Sequence, residues 1–221
     1  MILRTLIGTA QVPGGSELQL FQHQADFIIQ LDGNELMSSR MSGSEAALAT
    51  MTCDRLGNPG APHLLIGGYG MGFTLRAALA HLTPTARVTL VELVPEIIAW
   101  ARGPMAHMTA SCLDDPRVQV IDGDVAATIG AARATYDTIL LDVDNGPDGL
   151  SRAANDQLYS TAGLTRAKAA LKPGGILAIW SAHQDTDFTR RLKAAGFKVE
   201  EVTVRARSNG KGPRHVIWFA R

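Results

Sequence analysis

The sequence predicts an α/β fold: a doubly wound, mostly parallel sheet with a small N-terminal β unit. Three observations predict it. After Pro62, short continuous apolar runs alternate with stretches of helical periodicity. The first of those runs leads into a glycine-rich loop and then a helix. Before residue 60, brief apolar stretches instead alternate with polar residues. Continuous runs suit parallel strands buried on both faces, and strands that alternate with helices build a parallel sheet.

The elements follow in order. Leu18 to Phe21, Phe27 to Leu31 and Leu36-Met37 read as short antiparallel strands, with Asp32-Gly33 as a hairpin turn. A helix is expected from about Ser44 to Leu56, and the loop Gly57 to Pro62 follows from its turn residues. We therefore expect a β unit over residues 1–43 and a ligand-binding α/β unit over 44–221. His63 to Ile66 is the first parallel strand, and Leu75, Ala78, Leu79 and Leu82 recur at helical spacing behind its glycine loop. Val88 to Val91 is the second strand, followed by a helix with Pro95 in its first turn. Val118 to Ile121, Thr138 to Leu141 and Ile176 to Trp180 are the third, fourth and fifth. Asp185 can cap a helix that ends at Gly196. Val199 to Val204 and Val216 to Phe219 form a terminal antiparallel pair.

Composition excludes several classes. Of 221 residues, 46% are apolar, too many for a disordered chain. Twenty-one Lys and Arg balance 21 Asp and Glu, which argues against a nucleic-acid binder. Cys53 and Cys112 cannot make a disulfide framework and suit a reducing compartment. No apolar run approaches the ~20 residues of a membrane span. Met1 to Ala10 lacks a signal-peptide core and cleavage site, so a cytoplasmic protein is expected. The six His are scattered without metal spacing, and no metal is expected.

The first strand runs into Gly67-Gly68-Tyr69-Gly70-Met71-Gly72 and then a helix. Glycines let backbone approach a ligand, and the helix N-terminus offers free N–H donors. The dinucleotide fingerprint G-x-G-x-x-G would need glycine at Phe73, so an adenosine-type ligand without pyrophosphate is favoured. Gly68, Gly70 and Gly72 shape the loop, and Tyr69 could cover the donor. Glu92 ends the second strand, where an acid can accept the ribose hydroxyl protons. After the third strand, Gly123 leads to Asp124, whose carboxylate could take an adenine amino hydrogen. All stand at C-terminal strand ends, where open α/β sheets bind ligands.

At this point the chain resembles the spermidine synthase family of class I S-adenosylmethionine-dependent transferases. The carrying residues are Leu31-Asp32-Gly33, Leu65 to Gly72 with Leu75-Arg76, Val91-Glu92, Arg117-Val118, Gly123-Asp124, Tyr136-Asp137 and Leu141-Asp142. The resemblance implies a seven-stranded methyltransferase-like sheet, usually a homodimer, with Glu92 on the ribose, Asp124 on the adenine and Asp142 near the reacting amine. The chain departs from the family in three places. Gly70 stands where aminopropyltransferases carry Asp. Their Tyr-His-Glu stretch is reduced to the Glu of Ser44-Glu45. Asn145 replaces their second acid, three residues after the catalytic Asp.

The first departure has a physical reading. An Asp in the loop would attract the ammonium tail of decarboxylated S-adenosylmethionine and repel a carboxylate. Gly70 removes that repulsion and favours intact S-adenosylmethionine. The expectation is therefore a methyltransferase acting on a small, amine-bearing molecule. Aminopropyl transfer from decarboxylated S-adenosylmethionine is the alternative, and a non-catalytic nucleoside-binding protein a second one. Asp142 and Asn145 are the expected catalytic pair, with Asp142 also touching the donor. A carboxylate there can orient the amine and take its proton. Asp144, Tyr159, Trp180 and His183 are expected on the acceptor side. Arg205 to Arg214 reads as a solvated basic hairpin. Partners are expected to be small molecules, with neither nucleic acid nor membrane.

Overall fold

The computed structural model describes residues 4–57, 59–109, 111–143, 146–147 and 157–221. Four strands form an antiparallel N-terminal sheet in chain order: β1 (Thr5–Gln11), β2 (Glu17–His23), β3 (Asp26–Leu31) and β4 (Asn34–Ser38). Asp32-Gly33 turns between β3 and β4 as expected, with both residues at positive φ. β1 was not foreseen. Of its seven residues only Ala10 is buried, while Leu6 and Ile7 stand exposed.

The helix α1 (Gly43–Leu56) joins this sheet to the second, seven-stranded one. There the chain runs β5 (His63–Gly67), α2 (Phe73–His81), β6 (Arg87–Glu92), α3 (Pro95–Arg102), α4 (Ala106–Thr109), β7 (Val118–Asp122), α5 (Val125–Ala131) and β8 (Tyr136–Leu141). It continues through α6 (Thr161–Ala170), β9 (Leu171–Ser181), α7 (Thr186–Ala194), β10 (Val199–Arg205) and β11 (Arg214–Ala220). The order across the sheet is β10-β11-β9-β8-β5-β6-β7. β7, β6, β5, β8 and β9 run parallel, and β11 and β10 close the edge antiparallel. The doubly wound sheet and the N-terminal β unit are as the sequence predicts.

Alternate residues of each central strand feed opposite faces. Leu64, Ile66, Leu90, Leu140 and Ala178 pack with α1, α2, α3 and the N-terminal sheet. Leu65, Val91, Ile139, Leu141 and Ile179 pack with α5, α6 and α7. Burial on both sides is why these strands read as unbroken apolar runs. Pro95 opens α3, where its missing N–H costs nothing. The Asp185 carboxylate accepts the Phe188 N–H at 2.8 Å and caps α7, and Gly196 turns the chain out at φ +86°.

The three tryptophans occupy three environments. Trp100 of α3 lies beneath β1, so close that a Cβ on Gly8 would sit 2.8 Å from its Nε1. Trp180 ends β9 beside the cavity described below. Trp218 of β11 is fully buried on the opposite face, its indole N–H reaching the Thr189 hydroxyl at 2.8 Å. Among the described residues no helix is long and apolar enough to cross a membrane, and no group of three or more metal-ligating side chains gathers.

Candidate active site

The chain leaves β5 toward β6 on one side, while β8 pairs on the other. A crevice opens at such a switch point, at the carboxyl ends of the strands. Register sets the walls side by side: Gly67 pairs with both Val91 and Leu141, and Glu92 with Asp122. The cavity there is lined by Gly68 and Gly70, by Glu92 to Val94, by Gly123 and Asp124, by Asp142 and Val143, and by Trp180. Glu45 reaches it from the first turn of α1. Leu18, Ile29, Leu31, Leu36 and Met37 of the N-terminal sheet, with Val12 just after β1, form an apolar roof.

Backbone geometry explains the glycines. Gly68 has φ +86°, and a Cβ there would stand 2.3 Å from the Asp142 carbonyl oxygen. β5 and β8 could not sit this close with any other residue. Gly70 has φ +54°, and a Cβ would meet Met37 Cε at 2.6 Å. Gly72 has φ +74° and lies against the Tyr69 ring. It precedes α2 rather than lining the cavity.

Glu92 is buried, and its two carboxylate oxygens accept the Tyr69 and Val94 N–H groups at 2.8 and 3.0 Å. Burial raises its pKa, and these backbone donors oppose that rise. It braces the glycine loop while facing the cavity. Asp124 lines the cavity and also caps α5, accepting the Ala126 N–H at 2.7 Å.

Two carboxyl groups dominate the far end. Asp142 Oδ2 accepts the Thr74 hydroxyl at 2.5 Å, and its pKa rises to about 6 because the site encloses it. Glu45 rises to about 7, first through burial and then through the negative charge of Asp142. The Ser44 hydroxyl donates to Glu45 Oε2 at 2.5 Å and opposes that shift. Two enclosed acids, one of which raises the proton affinity of the other, make a site where a cation, or a proton, is welcome.

Other expected residues lie elsewhere. The Tyr69 side chain is buried away from the cavity, with its phenol 3.5 Å from Cys112 Sγ and burial raising its pKa. Only its backbone N–H serves the site. Tyr159 is buried in the core, its ring edge-on to Phe188 at 5.6 Å, and does not wall the cavity. His183 is exposed after β9, outside the lining, with its N–H donating to Ser181. Asp144 and Asn145 lie outside the described residues. Glu45 was noticed in the sequence only as a remnant of a motif. Its weight comes from tertiary proximity to Asp142, which local pattern does not carry.

Residues 54–194 match the spermine/spermidine synthase domain. Polyamine aminopropyltransferase 1 of Streptomyces coelicolor is 36% identical over 124 residues, covering 54% of this chain and 22% of that protein. Polyamine aminopropyltransferase 2 of Pseudomonas aeruginosa is 31% identical over 120 residues, covering 52% and 32%. The aligned stretch thus spans well under half the length of these curated relatives. Spermidine synthase from Thermotoga maritima superposes with a TM-score of 0.76 at 19% identity, covering 97% of this chain and 72% of that one. A spermidine synthase in complex with the transition-state analogue AdoDATO superposes at 0.75 with the same identity, covering 97% and 71%.

These relatives overturn the expectation of methyl transfer, because those matched by sequence are aminopropyltransferases. The error lay in the reading of Gly70. The backbone there is left-handed, and a Cβ would stand 2.6 Å from Met37 Cε, so glycine at this position has a conformational reason that does not depend on the donor's carboxylate. With the domain match covering well over half of the sequence, and with the sheet, loop and acids described above, the chain belongs to the spermine/spermidine synthase domain family.

Proposed function

We propose that this chain transfers an aminopropyl group from decarboxylated S-adenosylmethionine to a small primary amine. The observation that carries the reading is the pair Glu45 and Asp142 at the end of the nucleoside groove. Both reactants are cationic amines, and two enclosed carboxyls favour them. With no acid at position 70, the donor's ammonium would face this pair. The nucleoside would lie along Gly68 and Gly70, with its ribose on Glu92 and its adenine toward Gly123 and Asp124. Trp180 would wall the acceptor side.

The reaction is an in-line displacement. The acceptor nitrogen lone pair forms a C–N bond to the aminopropyl carbon as the C–S bond breaks, leaving methylthioadenosine. The sulfonium is already activated, so alignment supplies much of the acceleration. The acceptor must attack as a neutral amine, and Asp142 or Glu45 takes its proton. A carboxylate with raised proton affinity is the better base near neutral pH.

Calorimetric binding of the two candidate products tests this reading. Methylthioadenosine is expected to bind more tightly than S-adenosylhomocysteine, whose carboxylate would confront the acid pair. Tighter binding of S-adenosylhomocysteine would sink the proposal.

A further inference from the structure

Behind the cavity, the Ser44 hydroxyl lies between two titratable groups. Its oxygen is 2.5 Å from Glu45 Oε2 and 2.9 Å from His215 Nδ1. Ser44 is fully buried, Glu45 lines the cavity, and His215 of β11 is half-buried outside the lining. Trp180 packs edge-on against the His215 ring at 4.9 Å. The ionisable neighbour whose charge acts on the imidazole is His183, which is exposed. Facing Glu45 are Asp142 after β8 and Thr74 of α2, whose hydroxyl also reaches the Glu45 carbonyl at 3.2 Å.

A serine hydroxyl has one proton to give. If it goes to Glu45, the carboxyl is ionised and His215 must donate its Nδ1–H to the serine oxygen. If it goes to His215, the imidazole carries its proton on Nε2 and Glu45 must be protonated and donate. Carboxylate with imidazolium, and carboxylic acid with neutral imidazole, hold the same number of protons. They interconvert by shifting two protons without moving a heavy atom.

We infer that Ser44 and His215 form the proton exit from the active site, positioning residues that act through Glu45. The inference rests on the aminopropyl-transfer reading, in which the acceptor amine must lose a proton inside an enclosed cavity. That proton forms an O–H bond on Glu45. The bond breaks as the proton passes to Ser44 Oγ, while the original serine proton forms an N–H bond at His215 Nδ1. The imidazolium then releases its Nε2 proton to water. Before the next turnover the half-buried ring takes a proton from water at Nε2 and gives its Nδ1 proton up to water, so the Nε2–H tautomer returns with no net change in protons. No electron changes hands, and the net result is one proton moved from cavity to solvent. Burial and the neighbouring His183 lower the His215 pKa, which suits a group that holds the proton only in passing.

The test needs no substrate. Nitrogen-15 NMR of the ligand-free chain reads which ring nitrogen of His215 carries the proton as pH is varied. In the wild type, the neutral ring is expected to switch from the Nε2–H toward the Nδ1–H tautomer as Glu45 ionises. Ser44→Ala and Glu45→Gln should each abolish the switch. A single His215 tautomer across the titration in the wild type would overturn the proposal. So would a switch that survives Ser44→Ala, since through-space charge alone would then explain it. Glu45→Gln keeps the shape of the side chain and serves if Ser44→Ala folds poorly. In turnover assays with decarboxylated S-adenosylmethionine and short diamines, Ser44→Ala should lower kcat about tenfold or more with KM unchanged. If the wild type turns over none of them, the functional reading fails, and the tautomer measurement still decides the relay.

Discussion

A side chain at position 70 would have to displace Met37, whose Cε and Sδ lie 2.6 and 2.8 Å from where a Cβ would stand. The backbone there is left-handed, which adds strain for any residue but glycine. Introducing an acid by Gly70→Asp should therefore destabilise the chain by about 1–3 kcal/mol. Adding Met37→Ala should recover the steric part and leave the conformational part. Thermal unfolding of the single and double variants measures both. Asp142 was legible in the sequence, because a carboxylate at the end of a buried strand has few other reasons to be there, and Glu92 and Asp124 were legible by their place after consecutive strands. The roof was not. An apolar sheet face such as Leu36-Met37 reads the same whether it covers a core or a ligand.

At the scale of elements, α1 positions Glu45 of the acid pair, and the β10–β11 hairpin positions α1. The Gly43 N–H donates to the Ala206 carbonyl at 2.8 Å, and a Cβ on Gly43 would stand 2.5 Å from the backbone of Arg207 and of Ser208. Backbone cannot step aside as a flexible side chain can. Gly43→Ala should push the start of α1 off the hairpin, moving Ser44 and Glu45 with it. The expected result is weaker methylthioadenosine binding together with a lower unfolding midpoint, read by calorimetry on the same samples. The basic segment Arg205 to Arg214 thereby acquires a structural role that its charge alone did not suggest. The parallel strands were legible because burial on both faces leaves unbroken apolar runs. β1 was not, because an edge strand with one buried residue leaves no period to read.

The whole molecule inherits a pH dependence from its acid pair. Folding raises Glu45 from 4.5 to about 7 and Asp142 from 3.8 to about 6. Between the unfolded and folded values the native state binds more protons than the unfolded chain, so stability falls as pH rises. The contribution is fully present below about pH 4 and is lost as pH climbs through 6 to 7. The unfolding midpoint of the ligand-free chain should decline across that window, and Glu45→Gln should flatten the decline. A scan of midpoint against pH for both proteins decides it; a flat wild-type profile would show that the pair carries no such linkage.

Among the described residues the N-terminal sheet has no separate core. Its apolar face meets Trp100 of α3 and roofs the cavity in one continuous cluster with the larger sheet. The placement of the three indoles turns this architecture into a set of optical reporters. Trp100 lies under β1, Trp180 at the cavity and Trp218 on the far face. Peeling away of the small sheet, filling of the groove and melting of the opposite layer thus each alter the emission of a different fluorophore. Variants keeping one tryptophan apiece can follow the three events separately in a single protein.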